Sequence, residues 1–165
     1  CNPERIKRLV LVDARPGPNP EASDALKQLI ATLPLETESI TNVVEVILEI
    51  YPYISHDLCL HIARHGYRKR KDGPYVPRYD ARMSYDIEHA GYVAEDLWGF
   101  LKSVPCKTLV IRGEESPFLT AKDADRMCEM MPEAVCREIP KATHMPAQEN
   151  PEAFLRVVSG FLGLV

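Results

Sequence analysis

The sequence predicts an α/β fold in which a parallel β-sheet is interrupted by a long helical insertion. Residues 9–12 and 107–112 are strand-sized runs with apolar centres and no polar alternation, a pattern typical of strands covered by helices on both faces. From residue 105 onward, strand-like and helix-like segments alternate, which indicates a parallel sheet. The long stretch between the two runs, residues 20–101, has mostly helical periodicity.

The first strand is followed by a loop and a helical insertion. Asp13 lies at the end of the strand, and prolines at positions 16, 18 and 20 exclude helix or strand interior from the loop. Asn19-Pro20-Glu21 is a helix start, and Pro34 ends that helix. Predicted helices cover residues 20–33, 39–50, 55–71 and 86–101, and residues 74–83 are predicted to be irregular. The second is rich in Val and Ile, so a strand remains an alternative there.

The segment after residue 105 contributes two further strands, each followed by a helix. Gly113 ends the strand at 107–112, and Thr120 opens a helix with a capping-box pattern. A strand is predicted at residues 134–139, followed by a loop at 140–146 that contains His144. Asn150 then caps a last helix with apolar residues at helical spacing.

Composition and charge narrow the range of partners. The chain of 165 residues carries a net charge of −4 and has a pI of about 5.8, so it offers no electrostatic reason to expect a nucleic-acid partner. No apolar run approaches the roughly 20 residues of a membrane span. The five cysteines are odd in number and lack Cys-x-x-Cys spacing, which argues against a disulfide framework or a metal site. Free thiols favour a cytoplasmic location.

Three loops leave the carboxyl ends of the predicted strands, which is where open α/β sheets hold their reactive groups. These loops cover residues 13–20, 113–119 and 140–146. His144 is the main catalytic candidate, because a histidine at this edge can exchange protons near neutral pH.

Several of these segments together resemble a known family. They read Pro-Cys-Lys-Thr-Leu-Val-Ile-Arg-Gly-Glu-Glu-Ser-Pro at 105–117, Ile-Pro-Lys-Ala-Thr-His-Met at 139–145 and Glu-Asn-Pro-Glu-Ala-Phe at 149–154. With the opening strand, they resemble the C-terminal half of the α/β-hydrolase fold family, in its esterase-like branch with Gly-x-x-Ser-Pro after the penultimate strand. The resemblance implies a core formed by residues 1–19 and 102–165, and a helical cap or lid over residues 20–101.

The family's nucleophile is expected outside this sequence. It sits on a Gly-x-Ser-x-Gly elbow, whose small residues allow the strand to turn sharply into a helix. No two of the eight glycines are four positions apart. The resemblance places the elbow upstream of Cys1, in an N-terminal half of the same domain. We therefore expect the 165-residue chain to be inactive alone and to fold poorly.

The resemblance also suggests the remaining catalytic residues. The family's usual acid position, Gly-x-x-Asp, falls here on Ser116. A variant of the family carries the acid two strands earlier, at the position of Asp13, so Asp13 is the expected acid and Ser116 a supporting polar residue. Glu115, with its neighbour Glu114, is the fallback acid. Thr143 departs from the glycine that usually precedes the histidine.

The expected function is hydrolysis of carboxylic esters of small molecules by a Ser-His-Asp triad, without metal or organic cofactor. One alternative is an epoxide hydrolase or haloalkane dehalogenase with an upstream Asp nucleophile. Another is a hydrolase-like domain that binds a ligand without catalysis. All seven tyrosines and four of the five histidines fall within residues 20–101, a composition suited to a lid over an organic substrate.

Overall fold

The computed structural model describes residues 5–71, 73–80, 82 and 95–164. Its elements in chain order are β1 Arg8–Val12, α1 Pro20–Thr32, α2 Ile40–Ile50, α3 His56–Gly66, β2 Tyr67–Lys69, β3 Tyr75–Pro77, a 3-10 helix Trp98–Ser103, β4 Lys107–Gly113, α4 Ala121–Met130, β5 Ala134–Ile139, α5 Pro146–Glu149 and α6 Pro151–Leu162. The chain divides into two compact units, one of Cys1–Asn19 with Ala94–Val165 and the other of Pro20–Val93.

The first unit is built on a parallel sheet of three strands in the order β1-β4-β5. At their carboxyl ends, Val12 pairs with Ile111 and Gly113 pairs with Ile139. Because the strands are parallel, the loops after all three leave from the same edge of the sheet. The predicted α/β fold with a parallel sheet is confirmed.

Helices cover both faces of β4, which explains why that strand is apolar without alternation. One face meets α4 and the 3-10 helix in a buried cluster, and the other meets α6. The first cluster comprises Trp98, Leu101, Val110, Leu119, Ala124, Met127 and Met131. The second comprises Leu109, Ile111, Ile139 and Ala142, with Phe154, Val157, Val158 and Phe161 packed against it.

β1 is less buried than its apolar sequence predicts. Its central residues, Leu9 to Leu11, are only half-buried, and Val12 is 37% exposed. The reason is its position, because β1 pairs with β4 on one side and with no other strand in the described part of the chain. The expectation of a strand buried on both faces is therefore wrong for this chain taken alone.

The open edge of β1 leads to a prediction about the 165-residue chain. An apolar parallel strand with unpaired backbone groups is a template for association between molecules. We expect the purified chain to elute as multimers in size-exclusion chromatography at micromolar concentration. A monomer that melts cooperatively would contradict this expectation.

The second unit packs α2 against α3. Its core contains Val43, Val44, Ile47, Cys59 and Ala63, all at most 5% exposed. Ser39 and Ser55 cap the two helices by accepting hydrogen bonds from backbone N–H groups inside the first turn. The helix at α2 is confirmed despite its Val and Ile content, because these residues form an apolar face against α3.

The predicted helix over residues 55–71 is wrong beyond Gly66. The chain continues as β2, which pairs antiparallel with β3, so residues 74–83 are not wholly irregular and the insertion is not wholly helical. Pairing buries Tyr67 and Val76, and the Tyr67 hydroxyl donates to the Pro34 carbonyl at 2.9 Å. A continued helix would lose these contacts. The basic residues Arg68 to Lys71 therefore begin on a strand rather than at a helix end.

The predicted helix over residues 86–101 is wrong for its described part, while residues 86–94 lie outside the described residues. A 3-10 helix begins at Trp98 instead. Just before it, the Leu97 N–H donates to the Pro16 carbonyl at 2.6 Å, and the Asp96 carboxylate accepts from the Trp98 N–H at 3.1 Å. The centroid of the Trp98 ring lies 4.0 Å from the Arg126 guanidinium carbon, which is a cation–π contact. The helical spacing of apolar residues does not indicate this contact.

Gly113, at the end of β4, allows close contact with the loop that follows β5. A Cβ atom at this position would lie 1.8 Å from the Thr143 carbonyl oxygen and 2.6 Å from that of Ala142. We expect Gly113→Ala to lower the free energy of unfolding by on the order of 3 kcal/mol, because backbone must move. Gly160→Ala in α6 is the control, since its Cβ meets nothing within 4 Å and should stabilise by about 0.5–1 kcal/mol. Thermal melts of both variants of the full-length protein test this prediction. Equal melting temperatures for the two variants would contradict it.

Candidate active site

Asp13 is fixed at the carboxyl end of β1 in a backbone conformation that few residues adopt. Its φ is 47°, in the left-handed region that aspartate tolerates better than most residues. Its N–H donates to the Ile111 carbonyl at 2.7 Å, and its Oδ1 accepts from the Gly113 N–H at 3.0 Å. The side chain is fully buried. These contacts aim a carboxylate across the edge of the sheet toward the loops after β4 and β5.

Ser116 donates its hydroxyl proton to Asp13. The Ser116 Oγ lies 2.6 Å from Asp13 Oδ2, and it accepts from the N–H groups of Phe118 at 3.1 Å and Leu119 at 3.2 Å. A serine hydroxyl has one proton and two lone pairs, so two incoming N–H groups leave the proton for the carboxylate. Ser116 is therefore a supporting donor to Asp13 at the position where the family usually carries its acid.

His144 completes the cluster from the loop after β5. Its Nδ1 lies 2.8 Å from Asp13 Oδ2, and its side chain is 40% exposed. An ionised carboxylate only accepts hydrogen bonds, so Nδ1 is the donor to it, and in the neutral imidazole Nε2 is then the nitrogen with the lone pair. The Phe118 ring packs against the imidazole, with centroids 4.3 Å apart and a 50° angle between the planes. The arrangement is a histidine with one oriented nitrogen and one nitrogen ready to take a proton.

The fallback acid, Glu115, lies beside this cluster, but Asp13 accepts the described hydrogen bond from His144 Nδ1. The Glu115 side chain is exposed, and its N–H donates to the Ala142 carbonyl at 3.0 Å. Glu114 is also exposed and accepts from the Lys141 N–H at 3.0 Å. Both residues thus join the β4 loop to the histidine loop.

Two buried charged residues that sequence reasoning missed hold these loops. Arg112, 8% exposed, donates to the carbonyls of Leu119 at 3.1 Å and Glu114 at 2.8 Å and pairs with Glu138. Glu149, 6% exposed, accepts hydrogen bonds from the histidine loop. Their sequence signals were faint: a charged residue directly after the apolar centre of a strand, and an acidic residue five positions after the histidine.

Three of the four cysteines in the described part of the chain have thiols with raised pKa values. Burial is the main cause that raises the pKa of the Cys128 thiol to about 11, and burial also raises the pKa of the Cys136 and Cys59 thiols. Thiols with raised pKa values stay protonated at neutral pH and react slowly.

The described residues form neither a metal site nor a membrane-spanning helix. Across residues 5–71, 73–80, 82 and 95–164, no three or more His, Cys, Asp or Glu side chains converge as a metal site would require. Within the same described ranges, no helix has both the length and the apolar character needed to cross a bilayer.

Comparison with known proteins places this geometry in a fold. No family model matches the chain. It is 25% identical over 160 residues to a 2-(acetamidomethylene)succinate hydrolase of Mesorhizobium japonicum, a match that covers 97% of this chain and 56% of the relative. The chain therefore spans little more than half the length of this curated relative.

Solved structures give the same picture. A crystal structure of E-2-(acetamidomethylene)succinate hydrolase matches with a TM-score of 0.80 and 24% identity, over 98% of this chain and 59% of that one. An alpha/beta hydrolase from Novosphingobium aromaticivorans matches with a TM-score of 0.78 and 23% identity, over 99% and 59%. An esterase from Mycobacterium tuberculosis matches with a TM-score of 0.69 and 22% identity, over 94% and 52%. The chain has the α/β-hydrolase fold and corresponds to its C-terminal part.

Proposed function

We propose that the protein is a hydrolase of carboxylic esters in which His144 is the general base and Asp13 the triad acid, with a serine nucleophile upstream of Cys1. The observation that carries the proposal is the 2.8 Å contact between His144 Nδ1 and the buried Asp13 carboxylate at the carboxyl edge of the sheet. A buried acid that orients an imidazole whose second nitrogen is free is the arrangement that activates a hydroxyl nucleophile.

The chemistry follows from the two ring nitrogens. The serine Oγ attacks the ester carbonyl carbon as its proton passes to His144 Nε2, and an Oγ–C bond forms. The imidazolium then gives that proton to the leaving alcohol oxygen as the C–O bond breaks. Water repeats the sequence on the acyl-enzyme and releases the acid. Asp13 stabilises the imidazolium in both halves without accepting the proton.

Ser116 supports the proposed acid rather than replacing it. Its hydroxyl donates to the same Oδ2 atom that accepts from His144, while Gly113 N–H binds Oδ1. Three donors on one buried carboxylate fix its plane. Asp13 Oδ2 is therefore held facing the imidazole.

The relatives' names support the reaction class. One is a hydrolase, and one of the structural relatives is an esterase. Because the chain spans only 56% of the curated relative, the substrate and activity of the whole protein stay part of the proposal. Neither name fixes the acyl group or the alcohol.

The second unit is proposed to serve as a cap. It is inserted in the chain between β1 and β4, so the core is interrupted once and resumed. The proposed cap comprises this unit, Pro20–Val93, which lies within the predicted range of residues 20–101, and its tyrosine and histidine side chains would select a small organic substrate.

The identity of the residue on the upstream elbow tests the proposal. The full-length protein would be assayed with esters of increasing acyl length, with epoxides and with haloalkanes. Ester turnover with a Gly-x-Ser-x-Gly elbow is the expected result. Turnover of epoxides or haloalkanes with an Asp elbow would overturn it, and an inert elbow residue without turnover would leave a binding domain.

A further inference from the structure

Glu149 is a buried carboxylate that the proposed triad does not use. It ends α5, the short helix directly after His144, and is 6% exposed. An acidic side chain is rarely buried to this extent unless it is paired or hydrogen-bonded. The donors that satisfy it come from the residues on either side of the histidine.

The contacts hold the backbone on both sides of His144. Glu149 Oε2 accepts from the Thr143 N–H at 2.8 Å and from the Met145 N–H at 3.2 Å. The Glu149 N–H in turn donates to the Met145 carbonyl at 2.9 Å. One carboxylate oxygen therefore bridges the backbone before and after the histidine, which fixes the direction of the bond from its Cα to its Cβ.

Thr143 adds a contact that glycine could not make. Its hydroxyl lies 2.9 Å from Glu149 Oε2 and 3.1 Å from Oε1 and donates to the carboxylate. The departure from the family's usual glycine before the histidine is thus matched by a side-chain partner. On its other side, the Thr143 carbonyl lies against Gly113, where no Cβ would fit. The loop is therefore held by hydrogen bonds to Glu149 and by packing against the end of β4.

We propose that Glu149, with Thr143, is a positioning residue that aligns the His144 imidazole with Asp13 and with the nucleophile. The catalytic part of this inference rests on the proposed function. Its physical basis is that reacting groups lose about 10²-fold in rate when they are displaced by about 1 Å. The carboxylate acts on the imidazole through the backbone and touches no substrate.

Three variants of the full-length protein separate positioning from folding. Glu149→Leu removes the acceptor and is expected to lower kcat about 10²-fold while KM changes by less than about threefold. Glu149→Gln keeps an acceptor oxygen for both N–H groups, and its amide can donate to the Thr143 hydroxyl, so kcat should stay within about fivefold of the parent. Thr143→Val is close in shape but lacks the hydroxyl and should lower kcat about fivefold.

A matched control and a second readout make the test independent of turnover. Glu152→Gln changes an exposed acid three positions further on, whose carboxylate pairs with Arg156, and should leave kcat unchanged. The ring ¹⁵N and Nδ1–H NMR signals of His144 report the bond to Asp13 directly. We expect Glu149→Leu to weaken or broaden the Nδ1–H signal, and Glu149→Gln to retain it.

The outcomes are separable. If Glu149→Leu lowers only the melting temperature, while kcat and the Nδ1–H signal match the parent below that temperature, the inference is overturned. If Glu149→Leu does not fold, Thr143→Val decides by the same two readouts. If the parent hydrolyses no ester but the NMR signal changes as expected, the proposed function fails and the positioning role stands.

Discussion

Asp13→Asn in the full-length protein is expected to lower kcat for ester hydrolysis by about 10⁴-fold while KM stays within about threefold. The carboxylate is fully buried and accepts from His144 Nδ1 at 2.8 Å. An amide cannot stabilise the imidazolium, and its NH₂ group can donate to Nδ1. The proton would then move to Nε2, the nitrogen that must accept the proton of the nucleophile.

Asp123→Asn is the matched control for this prediction. Asp123 is a partly buried acid of the first unit, with its side chain 15% exposed, and its carboxylate pairs with Arg15 at 2.8 Å. Burial opposes its ionisation, but hydrogen bonds from Arg15 and Thr120, together with the charges of Arg15 and Arg126, outweigh burial and lower the pKa of Asp123. The variant should therefore lose stability above the ordinary carboxyl pKa without loss of kcat.

A kcat within tenfold of the parent for Asp13→Asn would contradict Asp13 as the acid, and a large loss in Glu115→Gln would assign the role to Glu115.

The double variant Asp13→Asn with Ser116→Asp is expected to regain at least about 10²-fold of the kcat lost in Asp13→Asn. The Ser116 Oγ lies 2.6 Å from the Asp13 oxygen that binds His144. A carboxylate at position 116 would therefore lie close to the place of the Asp13 oxygen. It would also accept from the N–H groups of Phe118 and Leu119, which donate to the Ser116 hydroxyl in the parent. The acid would then reach the imidazole from β4 instead of β1.

Two comparisons make this exchange informative. Asp13→Asn with Ser116→Asn carries no charge at either position and should show no recovery. Ser116→Ala alone removes one of the hydrogen bonds to Asp13 and should lower kcat about tenfold or less. Two results would contradict the account: recovery of kcat in the uncharged double variant, or no recovery of kcat in the variant with Ser116→Asp. Either would mean that Asp13 does not act by placing a negative charge beside His144.

Elements with strong local signals were predictable from the sequence. The strand β4 is marked by a continuous apolar centre, α4 by the Thr120 cap, and α6 by Asn150, Pro151 and apolar residues at helical spacing. The hairpin of β2 and β3 was not predictable in this way. Each strand has three residues, and each forms only because the other lies beside it.

In the candidate site, too, only the residues with a local sequence signal were predictable. Asp13, Ser116 and His144 could be named because they follow strands and match family motifs, and the structure brings the three together, while their catalytic roles stay predictions. Glu149 and Arg112 could not be named. Their importance depends on which backbone groups the folded loops turn toward them, and no local pattern records that.

Covalent labelling tests the central claim most directly. The full-length protein would be treated with a fluorophosphonate, in which a nucleophilic serine Oγ displaces fluoride from phosphorus, and the labelled peptide would be mapped by mass spectrometry. We predict one labelled serine, in a Gly-x-Ser-x-Gly sequence outside residues 1–165, with labelling lost in His144→Ala. Labelling within residues 1–165, or equal labelling of the parent and His144→Ala, would contradict a triad in which this chain supplies the histidine and the acid to an upstream serine.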